Sequence, residues 1–135
     1  MLTPPAAPVP DPSALLPVEA GEGVEWIIDA NGCRPAALCA LAELEAVFRQ
    51  LVADLGLRPI GAPLWHQFPS PGGITGLWLL SESHLCCHTF PENGHAAFNL
   101  YCCRPRPPWP WEAQLRAGLG ATAVTVRSLR RAGLK

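Results

Sequence analysis

The apolar positions of this chain change period several times, and each change marks an element. Val24-Glu25-Trp26-Ile27-Ile28 is a short apolar run suited to a buried strand, closed by the turn Asp29-Ala30-Asn31-Gly32. Pro35 then stands where a first helical residue is expected. Leu38, Leu41, Leu44, Val47, Phe48, Leu51, Val52 and Leu55 recur at helical spacing up to Gly56, which is placed to end the helix. Glu43, Glu45, Arg49 and Asp54 fall between them and predict its wet face. From Pro59 to Phe68 the pattern turns β-like, with Trp65 and Phe68 as its large side chains, and Gly72-Gly73 leads into a strand over 74–81. Two further strands are expected over 84–90 and 95–103, separated by Pro91-Glu92-Asn93-Gly94, whose Asn-Gly favours a tight turn. After the proline-laden connector 104–108, Trp111, Leu115 and Leu119 predict a helix that Gly120 can cap, and 122–126 a last strand.

The order is β-α-β-β followed by β-β-α-β. Helices that must cover an apolar stripe and a sheet with one face to hide predict an α/β (α+β) two-layer sandwich, one sheet with helices on one face. A second copy covering the other face would make a homodimer. Residues 1–23 carry Pro4, Pro5, Pro8, Pro10, Pro12 and Pro17 with little periodicity, and predict a disordered leader. That leaves one domain over 24–128 and a basic, solvated tail over 129–135.

Composition narrows the classes. At 135 residues, 49% hydrophobic and 16% charged, the chain has enough apolar surface for one core. A net charge of −1 gives no electrostatic case for nucleic acid or an acidic membrane. No apolar run approaches the roughly 20 residues of a membrane span, and the start lacks the pattern of a signal peptide, so a cytoplasmic protein is expected. Four of the six cysteines are the neighbours Cys86-Cys87 and Cys102-Cys103, which a strand sends to opposite faces. With no C-x-x-C turn, reduced and mostly buried thiols are expected rather than a metal site.

One place is too polar for its surroundings. Ser81-Glu82-Ser83-His84 interrupts apolar runs on both sides, and buried polar groups cost free energy unless paired. Ser83 is a candidate nucleophile with His84 and His88 as nearby bases, although the G-x-S-x-G elbow is absent. Cys87 or Cys103 with a histidine would serve as a thiol nucleophile. A turn serine and a satisfied strand histidine are the plainer alternatives, and residue types alone leave the choice open.

The segment SESHLCCHTFPENGHAAFNLYCC resembles the heart of the short bacterial and archaeal S-adenosylmethionine decarboxylases, with a Ser-Glu-Ser-His-x-x-x-His-Thr-aromatic-Pro-Glu run and a cysteine at fixed distance beyond. The likeness runs from about Gly23 to Arg127, includes GITG upstream, and excludes the leader. It implies a cofactor made from the chain: Ser83 attacks the carbonyl of Glu82, the chain splits between 82 and 83, and Ser83 becomes a pyruvoyl group. His88 matches the histidine that assists this processing, and Thr75 stands at a serine doing similar work. The pyruvoyl carbonyl would act as an electron sink for loss of CO₂. Cys103 matches the proton donor, a thiol with an ordinary pKa of about 8.5 being a usable acid near neutrality. Glu92 matches a substrate-binding acid, and Phe68 and Phe90 match aromatics that would hold an adenine.

The likeness has gaps. Asn99 lies where the family usually carries Asp, Arg104 where Gly is usual, His95 where Tyr is common, and the stretch from Trp65 to Gly73 carries one residue more than the family pattern. Loss of an acid and gain of Arg bear on a cationic sulfonium substrate. Three functions follow: decarboxylation of S-adenosylmethionine for polyamine (spermidine) synthesis, the same chemistry on another amino acid such as ornithine or arginine, or an uncleaved homologue that acts as a binding or regulatory partner.

Overall fold

The computed structural model describes residues 22–132, so the leader expected over 1–23 lies, apart from Glu22 and Gly23, outside the described residues. Six strands, β1 (Glu22–Asn31), β2 (Leu64–Gln67), β3 (Ile74–Leu80), β4 (Ser83–Phe90), β5 (His95–Cys102) and β6 (Ala123–Ala132), form one sheet in the order β2-β3-β4-β5-β1-β6. Every neighbouring pair is antiparallel. Three helices, α1 (Pro35–Leu38), α2 (Leu41–Asp54) and α3 (Trp111–Leu119), cover one face, which makes the α+β sandwich that the pattern predicts.

Strand alternation sorts the two faces. Ala96, Phe98, Leu100 and Cys102 of β5 are buried, and they share a core with Ile28 of β1, Trp78 of β3, Leu85 of β4, Phe48 of α2 and Trp111 of α3. The intervening positions, including Leu77, Leu79, His84, Cys86, His88, Asn99 and Tyr101, form the open face. Gly76 has a packing reason: a Cβ there would come within 2.2 Å of the Trp65 ring, which lies over it and packs 4.7 Å from Phe48. Gly120 ends α3 in the left-handed region at φ 70, as its position suggests.

Several boundaries differ from the pattern. The helix expected from Pro35 to Leu55 is two helices, broken at Cys39-Ala40. The carbonyls left free at the break are taken from outside: Thr89 Oγ1 donates to Leu38 O at 2.7 Å and Gln67 Nε2 to Cys39 O at 2.9 Å. The β-like stretch from Pro59 shrinks to β2 and a single bridge from Pro59 to Leu80. Residues 129–132 of the expected tail are exposed but belong to strand, because β6 runs on through Arg130 and Arg131 to Ala132, paired with β1, and 133–135 lie outside the described residues. Ion pairs Arg127–Asp29 (3.0 Å), Arg130–Glu22 (2.5 Å) and Arg131–Glu25 (3.5 Å) tie it there. Among the described residues no helix is long and apolar enough to cross a membrane.

Candidate active site

The Ser81-Glu82 turn is the tightest strand reversal among the described residues. Leu80 pairs directly with Ser83, so two residues alone reverse the strand. Such a turn calls for a residue at positive φ, and here that residue is Glu82 at φ 64; every other positive-φ residue described is glycine. A non-glycine residue held there costs about 1–3 kcal/mol and persists only where its surroundings enforce it. They do. The N–H of Cys103 donates to the Glu82 carbonyl at 2.9 Å, and Arg104 grips the Glu82 carboxylate through Nη2 to Oε1 (2.9 Å) and Nε to Oε2 (2.5 Å).

Beside this turn Ser83 is buried, and its Oγ has no hydrogen-bond partner. It opens β4 opposite Cys102, on the helix-covered side. Cys102 and Cys103 diverge as alternation requires. Burial pushes the Cys102 thiol up to about 11, whereas Cys103 is half-buried. All six cysteines are free thiols.

The second group lies at the far end of the same hairpin. Phe68, Thr75, His88, Phe90 and Glu92 line one cleft of about 330 Å³ together with Pro69, Pro71, Gly73 and Thr89. That volume is in the range of small-molecule sites. Register places Thr75 opposite His88, with Thr75 Oγ1 3.0 Å from His88 Nδ1. Thr89, which the sequence did not single out, anchors the floor: buried, it accepts the N–H of Ile74 at 2.8 Å while donating to Leu38 O. Its only sequence signal was its place between His88 and Phe90. Phe90 stacks on His95 with ring centres 5.4 Å apart, and His95 Nε2 lies 3.0 Å from Asp29 Oδ1.

The eight residues singled out therefore fall into two groups, Glu82, Ser83 and Cys103 at one end and Phe68, Thr75, His88, Phe90 and Glu92 at the other. Ser83 and His88 are five residues apart on one strand. That spacing means about 17 Å and opposite faces. A single chain does not bring them together. Asn99, which lies where the family usually carries Asp, donates to Glu25 Oε1 at 2.8 Å, so a carboxylate stands beside that place on the open face. The same face leaves Ile27, Leu77, Leu79 and Leu129 exposed.

With the fold and the geometry of the hairpin in place, the S-adenosylmethionine decarboxylase family model matches residues 24–132 of this chain. The chain belongs to that family. A protein from Symbiobacterium thermophilum named S-adenosylmethionine decarboxylase proenzyme is 42% identical over 89 residues, covering 65% of this chain and 66% of the relative. One of the same name from Thermococcus onnurineus is 33% identical over 81 residues, covering 60% of this chain. The match spans 56% of that archaeal relative's length. The crystal structure of the adenosylmethionine decarboxylase from Aquifex aeolicus has the same fold, with a TM-score of 0.67 at 21% identity over 87% of this chain and 96% of that one.

Proposed function

We propose that this chain is a self-cleaving decarboxylase of S-adenosylmethionine that makes a pyruvoyl group from Ser83. The observation that carries this reading is the buried, unpartnered Ser83 Oγ directly after a left-handed Glu82. An orphaned buried hydroxyl costs about 1–3 kcal/mol, and a catalytic role is one of the reasons such a group persists. Ser83 Oγ bonds to the Glu82 carbonyl carbon, its proton passes to the Ser83 nitrogen, and the C–N bond opens, turning an amide into an ester. The Cys103 N–H, already on that oxygen, stabilises the charge that develops there. Loss of the Ser83 α-proton then breaks the Cβ–Oγ bond, so Glu82 leaves as the carboxylate end of 1–82 carrying the former Ser83 oxygen, and residue 83 is left with a Cα=Cβ double bond. Water displaces the nitrogen of residue 83 as ammonia, so 83–135 begins with the pyruvoyl group. Both ends of the reacting bond are thus residues that fit the group.

A pyruvoyl carbonyl supplies an electron sink for an amine-bearing acid losing CO₂. The chain's own residues do the rest. His88, hydrogen-bonded to Thr75, is the base for processing, and the Cys103 thiol carries the proton that the substrate carbon takes up. Phe68 and Phe90 offer flat faces to an adenine and Glu92 a negative charge to the sulfonium. The aromatic pair suits an adenosyl group better than the aliphatic side chain of ornithine or arginine, and an uncleaved binding partner would have no use for the strained turn.

Because Ser83 and His88 lie far apart in one chain, a complete site takes two copies. One gives Ser83 and Cys103, and the other gives the cleft. The exposed Leu77 and Leu79 on the open face support stacking of the two sheets as a homodimer. The Ser83 side chain, which starts on the covered side at the turn, then has to rotate towards the open face to meet the partner's cleft. Intact-mass spectrometry tests the reading. Purified protein should appear as two pieces, 1–82 and 83–135, and release CO₂ from carboxyl-labelled S-adenosylmethionine. Ser83→Ala should persist as one 14.5 kDa species. A wild-type chain that stays whole after prolonged incubation contradicts it.

A further inference from the structure

Glu82 is held by two consecutive residues that do different things: Cys103 takes its backbone carbonyl, and Arg104 takes its carboxylate with two nitrogens. The side chains of Arg104 and Glu82 are 68% and 46% exposed, and ion pairs so exposed add little to global stability. A side-on, two-pronged grip does fix orientation, which a single charge on a flexible stem does not. What it fixes here is the one described non-glycine residue in the left-handed region, at the bond expected to break.

We propose that Arg104 is a positioning residue for backbone cleavage: by clamping the Glu82 carboxylate it holds the turn that presents the Glu82 carbonyl to Ser83 and to the Cys103 N–H. The inference rests on Ser83 being the residue that cleaves the chain. Arg104 moves no proton and forms no bond in the step. It narrows the range of turn geometries from which Ser83 Oγ attacks. An angstrom-scale misplacement of reacting groups can cost about 100-fold in rate.

The test follows cleavage of freshly synthesised full-length chain by gel and intact mass, at about 50 mM and about 1 M salt, where screening lengths differ several-fold. Wild type should cleave more slowly at high salt. Arg104→Ala should cleave about 10-fold more slowly than wild type at low salt, within the range that misplacement produces, and respond little to salt. Arg104→Lys should fall between them. Glu82→Gln should also slow cleavage, and the double variant Glu82→Gln/Arg104→Ala should be no slower than either single one, since both remove the same contact. Melting temperatures should barely change. Wild-type cleavage indifferent to salt, or Arg104→Ala cleaving at the wild-type rate, overturns the clamp while leaving the Ser83 reading intact. A wild-type chain that never cleaves overturns the reading underneath it. The salt series uses wild type alone, so it decides the matter even where a variant fails to fold.

Discussion

The hairpin of β3 and β4 is built differently at its two ends. At Ser81-Glu82 the backbone is strained, one residue is gripped by carbonyl and carboxylate together, and a buried hydroxyl goes without a partner. At Thr75 and His88, five residue pairs along, the strands are regular, hydroxyl and imidazole meet at 3.0 Å, and Thr89 beneath them is fully engaged. Strain and an orphaned nucleophile suit a bond about to break. A satisfied network suits a cleft that must keep its shape for a ligand. The contrast teaches that the two jobs we propose, making the cofactor and holding the substrate, would sit on separate ground in one chain, and in that proposal they join when a second copy brings its cleft to the turn.

The sharpest way to break that comparison is to keep the chains apart. Leu77→Asp puts a charge on the open face without touching either end of the hairpin. It should give folded monomers by size-exclusion chromatography and lower cleavage about 100-fold or more, the scale of losing a positioned acid–base group. Rapid cleavage by a monomer would place the whole site in one chain. Cys103→Ala sharpens the division within the first end. Its backbone N–H remains, so cleavage should proceed, while turnover per cleaved chain should fall about 100-fold or more with the thiol gone.

A smaller effect reports on the covered side of the sheet. Burial pushes Cys87 to about 12 and Cys102 to about 11, both above the ordinary thiol. A group whose folded pKa is raised gives stability that is complete below its unfolded pKa and lost as pH climbs through the folded value. Stability to urea should therefore decline from about pH 9 towards pH 12, by a few kcal/mol at most, and Cys87→Ala should make the slope shallower. A slope unchanged in that variant would show that Cys87 is not buried as described.

Much of the fold was legible because its cues were local. Trp111, Leu115 and Leu119 with Gly120 behind them mark α3 to the residue, and alternation marks β5. The break at Cys39-Ala40 was hidden because Leu38, Leu41 and Leu44 keep their spacing of three straight through it, and the groups that satisfy the broken end come from β4 and β2. The length of β6 was hidden too. Its residues 127–132 show no apolar alternation and are held by pairing to β1 and by ion pairs. At the site the motif supplied the residues but not their arrangement. Five positions between Ser83 and His88 look close in sequence; on an extended strand they are a long way apart and face opposite ways. Arg104 drew notice only as a departure from the family, and its grip on Glu82 needed coordinates.

The central claim is that each site joins the turn of one copy to the cleft of another, and co-expression of two cleavage-dead variants tests it directly. His88→Ala and Ser83→Ala should each stay whole when expressed alone. Expressed together with distinguishable tags, mixed dimers pair an intact Ser83 with an intact His88, and the account predicts that only the His88→Ala chain is then cut between 82 and 83, as read by intact mass. A His88→Ala chain that stays whole beside its Ser83→Ala partner, or that cuts itself without one, would contradict it.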